Sequence, residues 1–479
     1  MSRAHPMRQS RRAFLRAAGA LGALGPAASG FALNLAAIGA AAAQSSGPSD
    51  YRALVCLFLY GGNDQGNTVL ATDPQSWSAY LAARNLPPDP IALDLSAAGT
   101  PRSVIDFVPA TAQPGRSFAL HPSLAPVKAL FDARRAAIVA NVGPLVVPVT
   151  RAQWNAGSVP LPPKLFSHND QQSTWMAFSP EGSQAGWGGR IGDLLASANA
   201  APVFTAISAG GNAVFLSGRQ VVQYQVSTGG AVPINALSGA PFGSAATATA
   251  LRALIGTDRS NLFERQQVRM QNRSVDAQAA INASLVPLAS LSGVPVPVLD
   301  NGSPDPLALQ LQVVARTIGA RAGLGARRQV FFVGLSSFDS HDAQNASQFS
   351  LLARVARATA YFDALLQLPA IDAANQVTLF TASDFGRTLL SNGDGTDHGW
   401  GSHHFVVGGA VRGGDVYGRF PIVGQNTPDD VGSGRLLPAI AVDQYAATLG
   451  RWMGLSTTDL ATIMPNLGNF AARDLGFLA

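Results

Sequence analysis

VTLFTASDFGRTLLSNGDGTDHGWGSHHFVVGG, residues 377–409, decides how this chain is read. It begins with a continuous apolar and β-branched run of strand length, residues 377–382, which stops at Ser383 and Asp384 and is followed by Gly386 and Arg387. A carboxylate is thereby placed just past the carboxyl end of a buried strand. A loop rich in Gly, Asn and Asp carries Asp397 and His398, and His403 and His404 then lead into a second strand-like run, residues 405–409. Three of the chain's seven histidines fall inside this stretch. Any one of them alone reads as a loop imidazole bonded to backbone carbonyls. Gathered with carboxylates at strand ends, they form the donor set that a divalent transition metal takes.

Working outward, the same ending recurs. Residues 53–60, ALVCLFLY, suit a strand buried on both faces and break into Gly61, Gly62, Asn63 and Asp64. Residues 329–335, QVFFVGL, end in Ser336, Ser337, Phe338, Asp339, Ser340 and His341. Residues 136–142 and 203–208 read as further strands. Helical periodicity marks 304–321, where Leu307, Leu311, Val314 and Ile318 share a face, and the stretch through Phe349, Leu352, Val355, Phe362 and Leu366. Strand, helix, strand at this spacing is a βαβ unit, so the expected fold class is α/β with a mostly parallel sheet. Residues 71–125 read as irregular and partly helical. A polar helical insertion is expected near 245–300, and the absence of a linker or a repeat of solenoid period favours a single domain over 44–479.

At the amino end, SRRAFLR at residues 10–16 and the Ala/Gly/Leu run after it read as a twin-arginine signal peptide over 1–43, with the mature chain starting near Gln44. The reading implies export to the periplasm or beyond, the twin-arginine machinery as a partner, and no stable membrane span after cleavage. Of the 33 basic residues, five arginines lie in this leader (Arg3, Arg8, Arg11, Arg12, Arg16), which leaves 28 against 28 acidic residues. The high pI is thus no argument for nucleic-acid binding. One cysteine, Cys56, excludes a disulfide framework, and its apolar run points to core packing.

In an open parallel sheet, ligands bind outside the carboxyl ends of the strands, so Asp64, Asp339 and Asp384 are expected at one edge. Three carboxylates there repel one another unless a cation neutralises them. With His341, His398, His403 and His404 they make a mixed oxygen and nitrogen set for zinc or manganese, one or two ions. Arg387 is placed to hold an anion or to serve as an ordinary structural arginine.

Four motifs in this order, GGND at 61–64, FDSHDAQ at 338–344, SDFGRT at 383–388 and DHG at 397–399, behind a twin-arginine leader, resemble the domain-of-unknown-function 1501 proteins. That family is similar to the alkaline phosphatase and sulfatase superfamily. The resemblance implies a three-layer α/β/α, alkaline phosphatase-like fold, and a metal-dependent hydrolase-like activity on an anionic phosphate or related ester. By motif, Asp64 resembles the superfamily's first-strand aspartate ligand, Asp339 and His341 an aspartate and histidine pair, Asp384 the following aspartate, and His403 or His404 the late histidine. The superfamily's Asp-x-x-x-His is here Asp-x-His, and its Asp-His is here Asp384-Phe385. For a hydroxyl nucleophile, Ser167 beside His168 comes first and Ser173 or Thr174 second, with a plain loop serine as the alternative. A formylglycine sulfatase is disfavoured because Cys56 lies within a strand. The rival reading is a non-catalytic envelope or surface protein that keeps the fold.

Overall fold

The computed structural model describes residues 50–237 and 240–479; the leader lies outside them. Across the centre of the main sheet the strand Arg52–Leu59 lies between Arg328–Leu335 and Val377–Ser383, parallel to both. Pairing is in register: Ala53 faces Gln329 and Val377, and Leu59 faces Leu335 and Ser383, so three carboxyl ends stop at the same level. Ser402–Val407 continues the sheet antiparallel to Val377–Ser383, and Ala136–Gly143 pairs antiparallel with it in turn, so that Ala136–Gly143 points the same way as the central three. On the other side come Ala206–Ser208 and Tyr224–Ser227, both parallel, and then Gly230–Ala231, antiparallel. The result is a mixed, mostly parallel sheet, and the βαβ unit read from residues 329–382 spans the central strand rather than joining neighbours.

Both faces of this sheet are covered, which is why its strands carry unbroken apolar runs. Alternate residues of Arg52–Leu59 serve the two sides: Val55 and Leu57 pack with the helices Pro306–Gly319 and Gln344–Gln367, and Leu54, Cys56 and Phe58 with Trp187–Leu195 and Val442–Met453. Helices on both faces of a largely parallel sheet make three α/β/α layers. Cys56 is buried in the second of these cores, where desolvation raises its thiol pKa well above the usual range. No helix among the described residues is long and apolar enough to cross a membrane.

Three departures from the sequence reading have simple causes. Residues 71–125 hold the helix Pro74–Arg84 and two strands, Ile105–Phe107 and Phe118–Leu120, the second of which pairs antiparallel with both Ile105–Phe107 and Val69–Ala71 in a small sheet; three-residue strands are too short for alternation to be legible. The polar stretch after Asp384 is partly a hairpin, Arg387–Ser391 with Thr396–His398. The second apolar run begins at Ser402 rather than at residue 405, which puts His403 and His404 inside a strand.

Asp64 sits at the shared rim, but its side chain turns into the body. It caps the short helix Gln65–Thr68 and forms a buried ion pair with Arg84, whose Nη2 lies 2.8 Å from its Oδ1 and whose Nη1 meets its Oδ2. Arg84 is fully buried and donates also to the carbonyls of Leu389 (2.8 Å) and Thr388 (3.0 Å). Removing one partner of such a pair leaves an uncompensated buried charge. Arg84→Met is therefore expected to lower unfolding free energy by about 3–5 kcal/mol in urea titration; a loss below about 1 kcal/mol would contradict this placement.

Candidate functional site

Past the aligned strand ends, loops carry side chains onto one spot. Gly61 and Gly62, at φ +113° and +86°, make the first turn possible. A Cβ on Gly61 would lie 2.3 Å from the backbone nitrogen of Asp339, and one on Gly62 2.6 Å from the ring of Phe385, so the first loop packs flush against the other two. Four non-glycine residues in these loops also take positive φ: Lys164 at 52°, Phe166 at 70°, Ser337 at 85° and Ala343 at 46°. Such conformations persist where surroundings over-determine them, and they cluster at functional sites.

The centre is the carboxylate of Asp339. Its Oδ1 lies 3.1 Å from His341 Nε2 and 3.4 Å from His398 Nε2, and its Oδ2 lies 3.2 Å from His168 Nε2. The Nε2 atoms of His341 and His398 are 2.9 Å apart. Each imidazole is pinned by its other nitrogen: His168 Nδ1 to Asp384 Oδ2 at 2.7 Å, His341 Nδ1 to Asp397 Oδ1 at 3.3 Å, His398 Nδ1 to the carbonyl oxygen of Phe166 at 2.8 Å. A carbonyl or carboxylate there accepts, so in the neutral rings Nδ1 carries the proton and Nε2 a lone pair. His168 Nε2 is buried without a hydrogen-bond partner. One ligand atom each from His168, Asp339 and His398 lie within 4.8 Å of one another. The ring of Phe385 packs against His168 (4.8 Å) and His398 (4.7 Å) and fixes both planes.

Asp384 is buried and accepts from the Gly61 backbone nitrogen (3.1 Å) and Gln172 Nε2 (2.8 Å) as well as facing His168. Arg387 is fully buried and spent within the protein. Its Nη1 lies 2.6 Å from Asp339 Oδ1 and 3.2 Å from the carbonyl of Gly61, its Nε 3.3 Å from Thr396 Oγ1, and its Nη2 meets the Thr396 carbonyl. Expected as a candidate catalytic residue that could reach an anionic substrate, Arg387 instead positions Asp339. Burial raises the Asp339 pKa, but the Arg387 hydrogen bond and charge, with His168 and His341, outweigh it and hold the carboxyl below its usual range. His168 moves upward through its bond to Asp384, against burial; His398 moves downward, chiefly by burial.

Of the sequence-stretch candidates, Asp339, His341, Asp384 and His398 thus meet. Asp64, His403 and His404 do not join them. Adjacent residues of a strand point to opposite faces, so neither late histidine points out of the sheet's end. His403 Nδ1 accepts from the Asn141 backbone nitrogen (3.0 Å) and its ring stacks on Phe420; His404 faces Thr381 Oγ1 (3.3 Å) and packs on Trp175. Ser167 stands at the residue before the helix His168–Ala177 without a side-chain capping bond, and its hydroxyl donates to Asp170 Oδ2 at 2.8 Å. Thr174 donates to the carbonyl of Asp170, and Ser173 to that of Pro180. His168 was not among the expected ligands. It follows Ala136–Gly143, a strand running the same way as the central three, so the carboxyl-end rule extended to that strand points to it.

A family model described as "Protein of unknown function (DUF1501)" matches residues 51–464. No curated protein matches the chain. Among solved structures, the chain is similar to the one described as "Crystal structure of Ps i-CgsB in complex with k-i-k-neocarrahexaose", at 10% identity and a TM-score of 0.35, covering 89% of this chain and 77% of that one. It is also similar to "Crystal structure of Ps i-CgsB", at 8% identity and a TM-score of 0.34, covering 88% and 77%.

Burial holds the pKa of both His403 and His404 down to about 3, against 6.5 for the unfolded chain. As pH falls below 6.5 the unfolded state takes up protons first, so stability present above 6.5 is lost progressively toward pH 3, on the order of 3 kcal/mol per residue by pH 4. His404→Phe keeps the ring and removes the titration. Its acid-unfolding midpoint, followed by circular dichroism, is expected at lower pH than the parent's; an unmoved midpoint would count against burial as a neutral ring.

Proposed function

This chain belongs to the DUF1501 family, and we propose that it is an exported, metal-dependent, hydrolase-like protein acting on a phosphate or related ester. The observation that carries the reading is the convergence of three imidazole Nε2 atoms on the Asp339 carboxylate, every one with its Nδ1 turned away to an acceptor. Lone pairs and a carboxylate facing one another at 2.9–3.4 Å repel unless a cation lies among them. Imidazole nitrogens with a carboxylate oxygen are the donors that zinc takes. Pinning of the second ring nitrogen by carboxylate or carbonyl is the arrangement that orients metal-ligating histidines. The donor set therefore suits one divalent ion, zinc or manganese, with His168, Asp339 and His398, whose ligand atoms lie within 4.8 Å of one another, to hold it and His341 beside them.

A divalent ion bound there supplies Lewis acidity toward the oxygens of an ester. The chain's own part is orientation. Asp384, Asp397 and the Phe166 carbonyl fix the three rings, Arg387 fixes Asp339, and Phe385 closes the floor. Asp339, His341 and Asp397 are exposed, so the cluster opens to solvent at the sheet's edge. The ester class rests on the resemblance to the alkaline phosphatase and sulfatase superfamily, and export on the leader. A second reading, binding of an ion without turnover, is favoured by one observation: the hydroxyls of Ser167, Ser173 and Thr174 are all committed to local acceptors.

Protein purified without added metal is expected to carry about one equivalent of zinc or manganese by elemental analysis, and to hydrolyse a phosphate mono- or diester in a chelator-sensitive way. Metal without turnover across both ester classes selects the second reading; no metal as purified and no uptake by calorimetry sinks both. Asp339→Asn and His398→Ala should abolish the ion, whereas His403→Phe should keep it. Asp384→Asn and Asp397→Asn are expected to weaken affinity about 10–100-fold. Because the His168 pKa is raised, protons compete with the ion, and affinity should fall as pH drops through that value.

A further inference from the structure

The described surface is unevenly apolar. Nine of its thirteen exposed large hydrophobic side chains lie between Val222 and Val298, a stretch that includes the paired helices Ala245–Gly256 and Leu262–Ser284. The second helix, about 35 Å long, runs from the body into solvent. Phe263, Met270 and Ala277 recur every seven residues and share one face. Ala277 is buried, but Met270 is 58% and Phe263 84% exposed, so a stripe that packs on the core at one end continues uncovered at the other. Leu262 at 72%, and Leu254 at 61% on the partner helix, add further exposed apolar side chains to the same pair of helices. Arg269 and Arg273, also on the solvent face, are exposed and form no hydrogen bond or ion pair among the described residues.

We propose that this two-helix tip docks on the surface of an anionic lipid bilayer, with Phe263 and Met270 entering the headgroup and acyl boundary and Arg269 and Arg273 meeting lipid phosphates. Exposed apolar side chains with unpaired arginines on the same helix suit a membrane surface, and the five arginines of residues 245–284 against Asp258, Glu264 and Asp276 leave a net charge of +2 that selects an anionic one. A large aromatic left in water with free cations beside it has no role in the fold's own packing.

The test is co-sedimentation of the mature protein, metal-loaded as purified, with phosphatidylcholine vesicles containing or lacking phosphatidylglycerol. Binding is expected to the anionic vesicles, weakened by salt. The double variant Phe263→Ser with Met270→Ser should lose roughly tenfold or more in partitioning, and Arg269→Gln with Arg273→Gln about fivefold per arginine at low salt. Metal content should be unchanged in both, which separates this proposal from the reading of the metal site. No binding to anionic vesicles, or binding indifferent to Phe263 and Met270, overturns it. So does a dimer in light scattering that Phe263→Ser dissolves while lipid binding is absent, since the occupant is then a second copy of the chain.

Discussion

Three parallel strands paired in register are the constraint from which the rest follows. Leu59, Leu335 and Ser383 stand at one level because their strands align residue for residue, and buried side chains on both faces hold that alignment. A slip of one residue would turn each strand's alternate side chains to the wrong layer. Register thus converts a packing requirement into a chemical one. It brings Gly61 within hydrogen-bond reach of Asp384 and of Arg387, the partner of Asp339, which lie hundreds of positions further along the sequence.

The three aspartates at that rim have been divided by their surroundings. Asp339 faces the histidines, Asp384 orients one of them from behind, and Asp64 is locked to Arg84. They remain connected. Gln344 Nε2 donates to Asp64 Oδ2 (2.6 Å), Thr396 Oγ1 donates to Gln344 Oε1 (2.7 Å), and Arg387 links Thr396 to Asp339. A buried ion pair thus anchors one end of a hydrogen-bonded run whose other end is the half-exposed carboxylate at the centre. Every polar group in that run is satisfied by its neighbour, which low-dielectric surroundings demand.

How much of this was legible in the residues depended on period and length. The runs at 53–60, 329–335 and 377–382 are long, apolar and followed within a few residues by Asp64, Asp339 and Asp384, so the strands and the carboxylates past their ends could be read from them, though not the order of the strands in the sheet. Strands of three residues between 69 and 120 left no such trace. His403 and His404 misled because the strand begins three residues earlier than its apolar run, and a histidine that is desolvated and stacked looks in sequence like one that ligates. His168 was hidden for another reason: it follows its strand by 25 positions of loop and short helix, and nothing local to it announces that its ring crosses to Asp384. Asp64 shared the motif and the rim, but its partner Arg84 lies in a helix whose pairing no spacing rule reveals.

Phe166 adds a consequence of its own. Its contribution to the cluster is a peptide oxygen, presented to His398 by a left-handed backbone. Aspartates at 384 and 397 can be lost through a single codon change, whereas this acceptor survives every replacement at its position that tolerates the same dihedral angles. Drift there is filtered by conformational cost rather than by chemical identity, with glycine and asparagine the easiest substitutes. One of the three imidazoles is thereby insured against erosion of side-chain identity in a way the other two are not.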